Sequence, residues 1–257
     1  MNKTIYIGDI HGRSIWKNIV QENDDADTIV FVGDYFDSFN IPGLSQLNNT
    51  QDIVNYKLNN PNKDIHLLLG NHDIHYFHDN KWDKGMTSGY QAFMSVQYEE
   101  FFREYRKHFK ISCIVNENRL CSHAGVSHDF LNDNGFYLRS GYSFNDIPDF
   151  LNELFETKIW SMNFDSHRHR NQDYGYVDHY GNDIWQTPVW IRPKSLQLSN
   201  KNRDLKKEVI QIVGHTQQEK IDIEGRTTGG RYFYIDSLEN KQYLIEENGN
   251  FKLGIID

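Results

Sequence analysis

Six side chains of metal-binding type follow short apolar runs in this sequence, each beside or within two residues of a glycine. They are Asp9 and His11 in Gly8-Asp9-Ile10-His11-Gly12, Asp34 in Gly33-Asp34, Asn71 in Gly70-Asn71-His72-Asp73, His123 in Ser122-His123-Ala124-Gly125, and His215 in Gly214-His215-Thr216. Mixed oxygen and nitrogen ligands suit Mn, Fe, Zn or Ni rather than Ca, which takes oxygen alone. One Asp after a strand is ordinarily a turn residue or a helix cap. Six such residues at successive strand ends are hard to read that way. We expect Asp34 to be a carboxylate shared by two divalent ions ~3.5–4 Å apart, a spacing that serves phosphoryl chemistry. The other strand ends are expected to bring the remaining ligands to it.

The elements that must do this are legible as strands and helices. Residues 28–32, Thr-Ile-Val-Phe-Val, form a continuous apolar, β-branched run, as in a strand buried on both faces. Residues 4–7 and 65–69 are similar runs that end in the first and third motifs. Ligand crevices in open α/β sheets lie at the carboxyl ends of strands, where all these motifs fall. Helical spacing of apolar residues is found over 14–22 and 44–58. The alternation β-α-β-α-β predicts a layered α/β fold, its first two strands parallel and joined by a right-handed connection. A long helix is expected over 88–110, with Phe93, Val96, Phe101 and Tyr105 on its apolar side. Strands are expected at 111–115, 120–122, 209–213, 232–235, 243–246 and 251–256, and a helix near 146–155. The chain reads as a single domain over 1–257. Its least regular part, 126–190, is expected to be an insertion lying over the crevice as a cap or lid.

Composition excludes several classes. Hydrophobic residues make up 38% and aromatics 14%, which is globular and not disordered. The formal charge of -9 argues against long nucleic acid as a partner, since that affinity comes from Lys and Arg on phosphates. No apolar run approaches the ~20 residues of a membrane span. The first strand starts too early to leave room for a signal peptide. Cys113 and Cys121 are the only cysteines, flank an expected hairpin and read as reduced thiols, so the expected compartment is the cytoplasm.

Taken in order, Gly8-Asp9-Ile10-His11-Gly12, Gly33-Asp34-Tyr35-Phe36-Asp37, Gly70-Asn71-His72-Asp73, His123-Ala124-Gly125 and Gly214-His215-Thr216 resemble the motif set of the calcineurin-like metallophosphoesterases. Within them, the set is most similar to the phosphoprotein phosphatase branch, especially its bacterial and phage members and the symmetrical diadenosine tetraphosphatases. The resemblance spans Gly8 to Thr216 and implies a fold of central β-sheets flanked by helices. It also implies roles. Asp9, His11 and Asp34 would hold one metal, and Asp34, Asn71, His123 and His215 the other. A hydroxide between the metals would attack phosphorus in line. His72 would protonate the leaving oxygen, paired with Asp37. Arg192, in Trp190-Ile191-Arg192-Pro193, would grip the phosphate through its planar fork of donors.

Two positions depart from the family pattern. Ser38-Phe39 stands where the family often has Arg-Gly, so one phosphate-binding Arg is missing. Arg168, Arg170 and Arg226 are candidates to replace it. The third motif ends in Asp73, where the branch commonly has Glu. Weaker candidates are His75 and His78 for the mouth, the basic loop His167-Arg168-His169-Arg170 as a substrate clamp, and Trp160, Tyr174, Tyr176 and Trp185 for stacking on a base. His66, inside a strand, reads as structural. The expected substrate is a phosphorylated protein, nucleotide or small molecule. Hydrolysis of phosphomonoesters or phosphoanhydrides leads. Dinucleoside polyphosphates, nucleic-acid ends and cyclic nucleotides are alternatives, and a metal-binding interaction scaffold without catalysis is the alternative of another class.

Overall fold

A computed structural model describes residues 3–80, 85–164, 181–201, 209–225 and 228–256. Arg168, Arg170, Arg226, His167, His169, Tyr174 and Tyr176 lie outside these residues.

Two sheets carry the fold. The first has six strands in the order β10-β9-β1-β2-β3-β4. Here β1 is Lys3–Ile7, β2 Thr28–Phe31, β3 Asp64–Leu68, β4 Phe109–Lys110, β9 Gln242–Glu247 and β10 Asn250–Ile255. Strands β1 to β4 pair in parallel, while β9 runs antiparallel to both β1 and β10. The second sheet is β5-β6-β7-β8, made of Ser112–Val115, Arg119–Ser122, Ile210–Val213 and Tyr232–Tyr234. Its hairpin β5-β6 is antiparallel and the rest parallel.

The period of two along each strand sorts side chains between two cores. Tyr6, Val30, Val32 and Leu68 meet Cys113, Cys121, Ile212 and Phe233 between the sheets. Ile5, Ile7, Ile29 and Phe31 face the other way, toward a core that includes Trp16, Ile19, Ile53 and Val54. Those four come from α1 (Trp16–Glu22) and α2 (Gly43–Asn59). Strands covered on both faces explain why the sequence runs there are continuously apolar rather than alternating. Cys113 and Cys121 sit opposite each other on β5 and β6 as free, buried thiols.

Past β3 the chain makes one short helical turn, α3 (Asn71–Ile74), then reaches α4 (Ser95–Tyr105). The expectation of one helix over 88–110 is corrected. Tight 3₁₀ turns at Ala92–Met94 and Arg106–His108 bracket α4. Phe93 and Val96 are exposed, and the buried face is Tyr98, Phe101 and Phe102. A stacked aromatic group sets that face: Phe36 lies on Tyr98 at 3.9 Å and Phe77 on Phe102 at 4.5 Å between centroids.

Helix α5 (His128–Asp133) starts on a Ser127 hydroxyl that accepts the Phe130 N–H, and α7 (Pro193–Asn200) opens on a proline suited to a first helical position. Between them, α6 (Ile147–Thr157) buries Phe150, Leu151, Leu154 and Phe155. Among the described residues no helix is long and apolar enough to cross a membrane.

Candidate active site

The parallel strands of both sheets end at one place. Strand β1 delivers Asp9 and His11, β2 delivers Asp34, and β3 runs into Asn71 and His72. From the second sheet, β6 delivers His123 and β7 His215. Asp9, His11, Asp34, Asn71, His72, Arg192 and His215 line a single pocket of about 150 Å³. His123 lies beneath it, fully buried against Asp34. The ligand candidates also stitch the sheets together. His123 Nδ1 donates to the Val32 carbonyl across the seam at 2.8 Å, and the His215 N–H donates to Asp9 Oδ2 at 3.0 Å.

Asp34 is the centre of this arrangement. Its Oδ1 accepts the His72 backbone N–H at 2.9 Å. Its Oδ2 stands 3.8 Å from His11 Nε2 on one side and 3.2 Å from His123 Nε2 on the other. Asn71 Oδ1 lies 3.0 Å from the same His123 nitrogen. Two overlapping groups therefore have metal-ligand spacing among the described residues, His11-Asp34-His72 and Asp34-His123-His215, with ligand atoms within 4.8 Å of one another. Asp34 is common to both. His72 is thus close enough to be a ligand, a second option to the acid role implied by resemblance.

A partner on one ring nitrogen leaves the other nitrogen of each histidine available. His11 Nδ1 is 2.7 Å from the Phe36 carbonyl and His123 Nδ1 is bonded to Val32, so both present Nε2. His215 is reversed: Nε2 meets the Trp190 carbonyl at 3.1 Å and Nδ1 is left. A carbonyl only accepts, so each contact fixes a proton on the bonded nitrogen and leaves the other as the one a metal can take. That is the form a metal ligand needs. Burial holds His11 below its usual range. Burial, the Arg192 guanidinium and His123 hold His215 well below it, so both stay neutral.

The carboxylates differ. Burial alone would raise Asp34, but the neighbouring His123 and His72 rings hold it well below the usual carboxylate range. Burial, Asp236 and Asp34 push Asp9 well above it. Buried negative charge of this density suits cations, and the donor set of imidazole, carboxylate and carboxamide fits divalent transition metals.

Glycine serves the site in two ways. At Gly33 the backbone has φ +108°, a turn that favours glycine. Gly8, Gly70 and Gly214 have no such φ, yet a methyl group on any of them would strike a neighbour. A Cβ on Gly214 would lie 2.0 Å from Asp9 Oδ1, and one on Gly8 would lie 2.2 Å from the Ile235 carbonyl oxygen. These glycines clear space for another strand end. The backbone is strained at the chemistry itself: His11, Asp34, Asp37 and His215 all have positive φ, between 41° and 66°.

The remaining candidates separate clearly. His72 Nδ1 donates to Asp37 Oδ2 at 2.9 Å. Burial lowers His72, but Asp34 and the bond to Asp37 outweigh it and hold the ring above its usual range. The Arg192 guanidinium lies 5.5 Å from the Trp190 ring centroid and 3.4 Å from the His215 carbonyl oxygen, beside the pocket. His75 is fully buried and contacts Asp37, whereas His78 is exposed and pairs with Glu99, so neither lines the pocket. Asp73 accepts the N–H groups of Asp34, Tyr35 and Gly70, each at 2.8 Å, and so clamps the end of β2 to α3. His66 pairs with Asp64 on its own strand, and Trp160 is half exposed.

Four pocket residues have no place in the sequence reading: Met86, Thr87, Ser88 and Asp236. Asp236 follows β8, lines the pocket and is pushed up to about 6 by burial and Asp34. The rule that singled out Asp34, a carboxylate ending an apolar strand, also picks Asp236 from Tyr-Phe-Tyr-Ile-Asp. No glycine accompanies it, unlike the six ligand candidates.

The family model for calcineurin-like phosphoesterases matches residues 3–219. A comparison with curated proteins gives no significant sequence match. Among solved structures, the cold-active protein-tyrosine phosphatase of a psychrophilic Shewanella species superposes with a TM-score of 0.63. It is 14% identical, with 99% of this chain and 78% of that one covered. A protein serine/threonine phosphatase from Saccharomyces cerevisiae, described as similar to human phosphatase PP5, gives a TM-score of 0.52. It is 15% identical, with 98% and 79% covered. At these identities the likeness is one of fold, whereas the family match runs through every motif that reaches the pocket. The chain belongs to the calcineurin-like phosphoesterases, hydrolases that act on phosphoester bonds.

Proposed function

We propose that the chain is a two-metal phosphatase. The observation that carries this reading is the position of Asp34 Oδ2 between His11 Nε2 and His123 Nε2, at 3.8 and 3.2 Å. In this reading Asp9, His11 and Asp34 hold one ion, and Asp34, Asn71, His123 and His215 the other. Two divalent ions there would supply polarisation of the phosphoryl oxygens and an activated water. The chain's own residues do the rest. Arg192 binds and orients the phosphoryl group. His72 Nε2, its ring held through Nδ1 by Asp37, gives a proton to the leaving oxygen.

The size of the pocket bears on substrate. About 150 Å³ admits a phosphoryl group but is smaller than the ~300–1,000 Å³ of pockets that enclose a drug-sized ligand. The leaving group then lies outside, which favours a phosphate carried on a larger molecule over an enclosed dinucleotide. The two neighbours described as protein phosphatases make phosphorylated protein the first class to test.

The experiment is metal analysis together with a substrate panel of phosphopeptides, p-nitrophenyl phosphate, diadenosine tetraphosphate and a cyclic nucleotide, assayed with Mn. Two ions per chain and fastest turnover of phosphopeptide are expected. A fully metallated protein inactive on the whole panel would instead be a binding scaffold.

A further inference from the structure

A second histidine contacts the carboxylate that holds His72. His75 is fully buried, and its Nε2 stands 2.9 Å from Asp37 Oδ2. That oxygen is the one that accepts from His72 Nδ1. The approach is off the ring N–H direction, and His75 Nε2 has no in-line hydrogen-bond partner. Its Nδ1 lies 2.9 Å from Thr87 Oγ1, which is itself 3.4 Å from Asp37 Oδ2.

Thr87 Oγ1 gives its one proton to Asp37 Oδ2, which can only accept, so Thr87 accepts from His75 Nδ1. His75 thus aims the Thr87 hydroxyl at the carboxylate in a buried site where water does not compete. Asp37 Oδ1 is held separately by the Tyr76 hydroxyl, whose oxygen accepts the Gln91 N–H at 2.8 Å. Both oxygens of Asp37 are thus engaged by groups other than His72, and the carboxylate cannot swivel.

We propose that His75, acting through the Thr87 hydroxyl, is a positioning residue for His72. It fixes the rotation of the Asp37 carboxylate and, through it, the aim of His72 Nε2 into the pocket. The role rests on the reading of His72 as the proton donor. A cluster that served stability alone would give losses independent of the leaving group, and additive with removal of His72.

The test uses the full chain with Mn, an alkyl phosphate and p-nitrophenyl phosphate, whose leaving group needs no proton. His75→Phe and Thr87→Val are expected to lower kcat on the alkyl phosphate ~10-fold or more, toward the scale of a positioned acid. On p-nitrophenyl phosphate the loss should be much smaller, with metal content unchanged. His75→Asn, which places an amide donor where Nδ1 was, should recover most of the activity. In a His72→Asn background neither variant should add a further loss. Equal losses on both substrates, or a further loss in that background, would overturn the proposal. If His75→Phe does not fold, Thr87→Val carries the test, since it exchanges one hydroxyl for one methyl. A His72→Asn enzyme without leaving-group dependence overturns the proton-donor reading, and this role with it. The proposal alone falls when His72→Asn shows that dependence and the His75 and Thr87 variants do not.

Discussion

Asp34 Oδ1 occupies space that a side chain at position 70 would need: a Cβ built on Gly70 lies 2.1 Å from that oxygen. The end of β3 is therefore bare so that the end of β2 can place its carboxylate. Gly70 has φ -104° and ψ -178°, which any residue adopts, so the requirement is steric and not conformational. Gly70→Ala is expected to push Asp34 away from His11 and His123 and to lower metal content below two ions per chain. Activity should fall at least ~100-fold, since an ångström of misplacement can cost that much. Metal analysis alongside circular dichroism distinguishes this from unfolding. A variant with full metal and full activity would refute the steric account.

Asp34→Asn keeps the shape and removes the negative charge that both ions would share. Loss of both ions is expected, where His11→Ala or His215→Ala should weaken chiefly one. Two tightly held ions in Asp34→Asn would contradict the bridging role.

Arg192 borders the pocket without joining the ligand groups, so Arg192→Ala should leave metal content intact. A charged hydrogen bond contributes ~1.5–3 kcal/mol, which predicts a ~10–100-fold fall in kcat/KM. Unchanged kcat/KM in steady-state assays would remove Arg192 from substrate binding.

His72→Asn separates two roles that the geometry permits. As proton donor, His72 should be needed for alkyl phosphates, with a loss of ~10²–10⁴-fold, and much less for p-nitrophenyl phosphate. Asp37→Asn should show the same pattern more mildly. Loss of an ion on metal analysis would make His72 a ligand of the His11-Asp34 group instead.

Asp236 gives a pH dependence with a definite sign. Burial and the nearby Asp34 charge raise its carboxyl from 3.8 to about 6 in the folded protein. Between those values the folded state keeps a proton that the unfolded chain has released. The stability linked to this proton is present below about pH 4 and lost as pH rises through 6. In metal-free protein, Asp236→Asn is thus expected to raise Tm at pH 8 and to leave it nearly unchanged at pH 4. A Tm gain equal at both values would show that the carboxylate is not the cause.

The strand ends were legible because their signal is local: an apolar, β-branched run, a glycine and a ligand-type side chain fall within a few residues of one another. The same locality explains the errors. Helical spacing gave Phe93 and Val96 a buried face, but the face that docks is chosen by Phe36 and Phe77, which stack on Tyr98 and Phe102 from distant parts of the sequence. His75 carries no sign that it turns inward to Asp37, since that depends on one short turn after β3. Steric clearance at Gly70 and Gly214 is likewise invisible without knowing which carboxylate comes from the neighbouring strand.

The place of β1 in its sheet bears on how the protein is made. Its two neighbours are β2, encoded just after it, and β9, at residues 242–247. During synthesis the first strand must therefore wait, one edge unpaired, until the residues of β9 have left the ribosome. At ~5–20 residues per second, that interval is on the order of ten seconds or more. Nascent chains are open to strand-to-strand association throughout it. His215 also emerges late, so a product that stopped short of it would lack one residue of the Asp34-His123-His215 group.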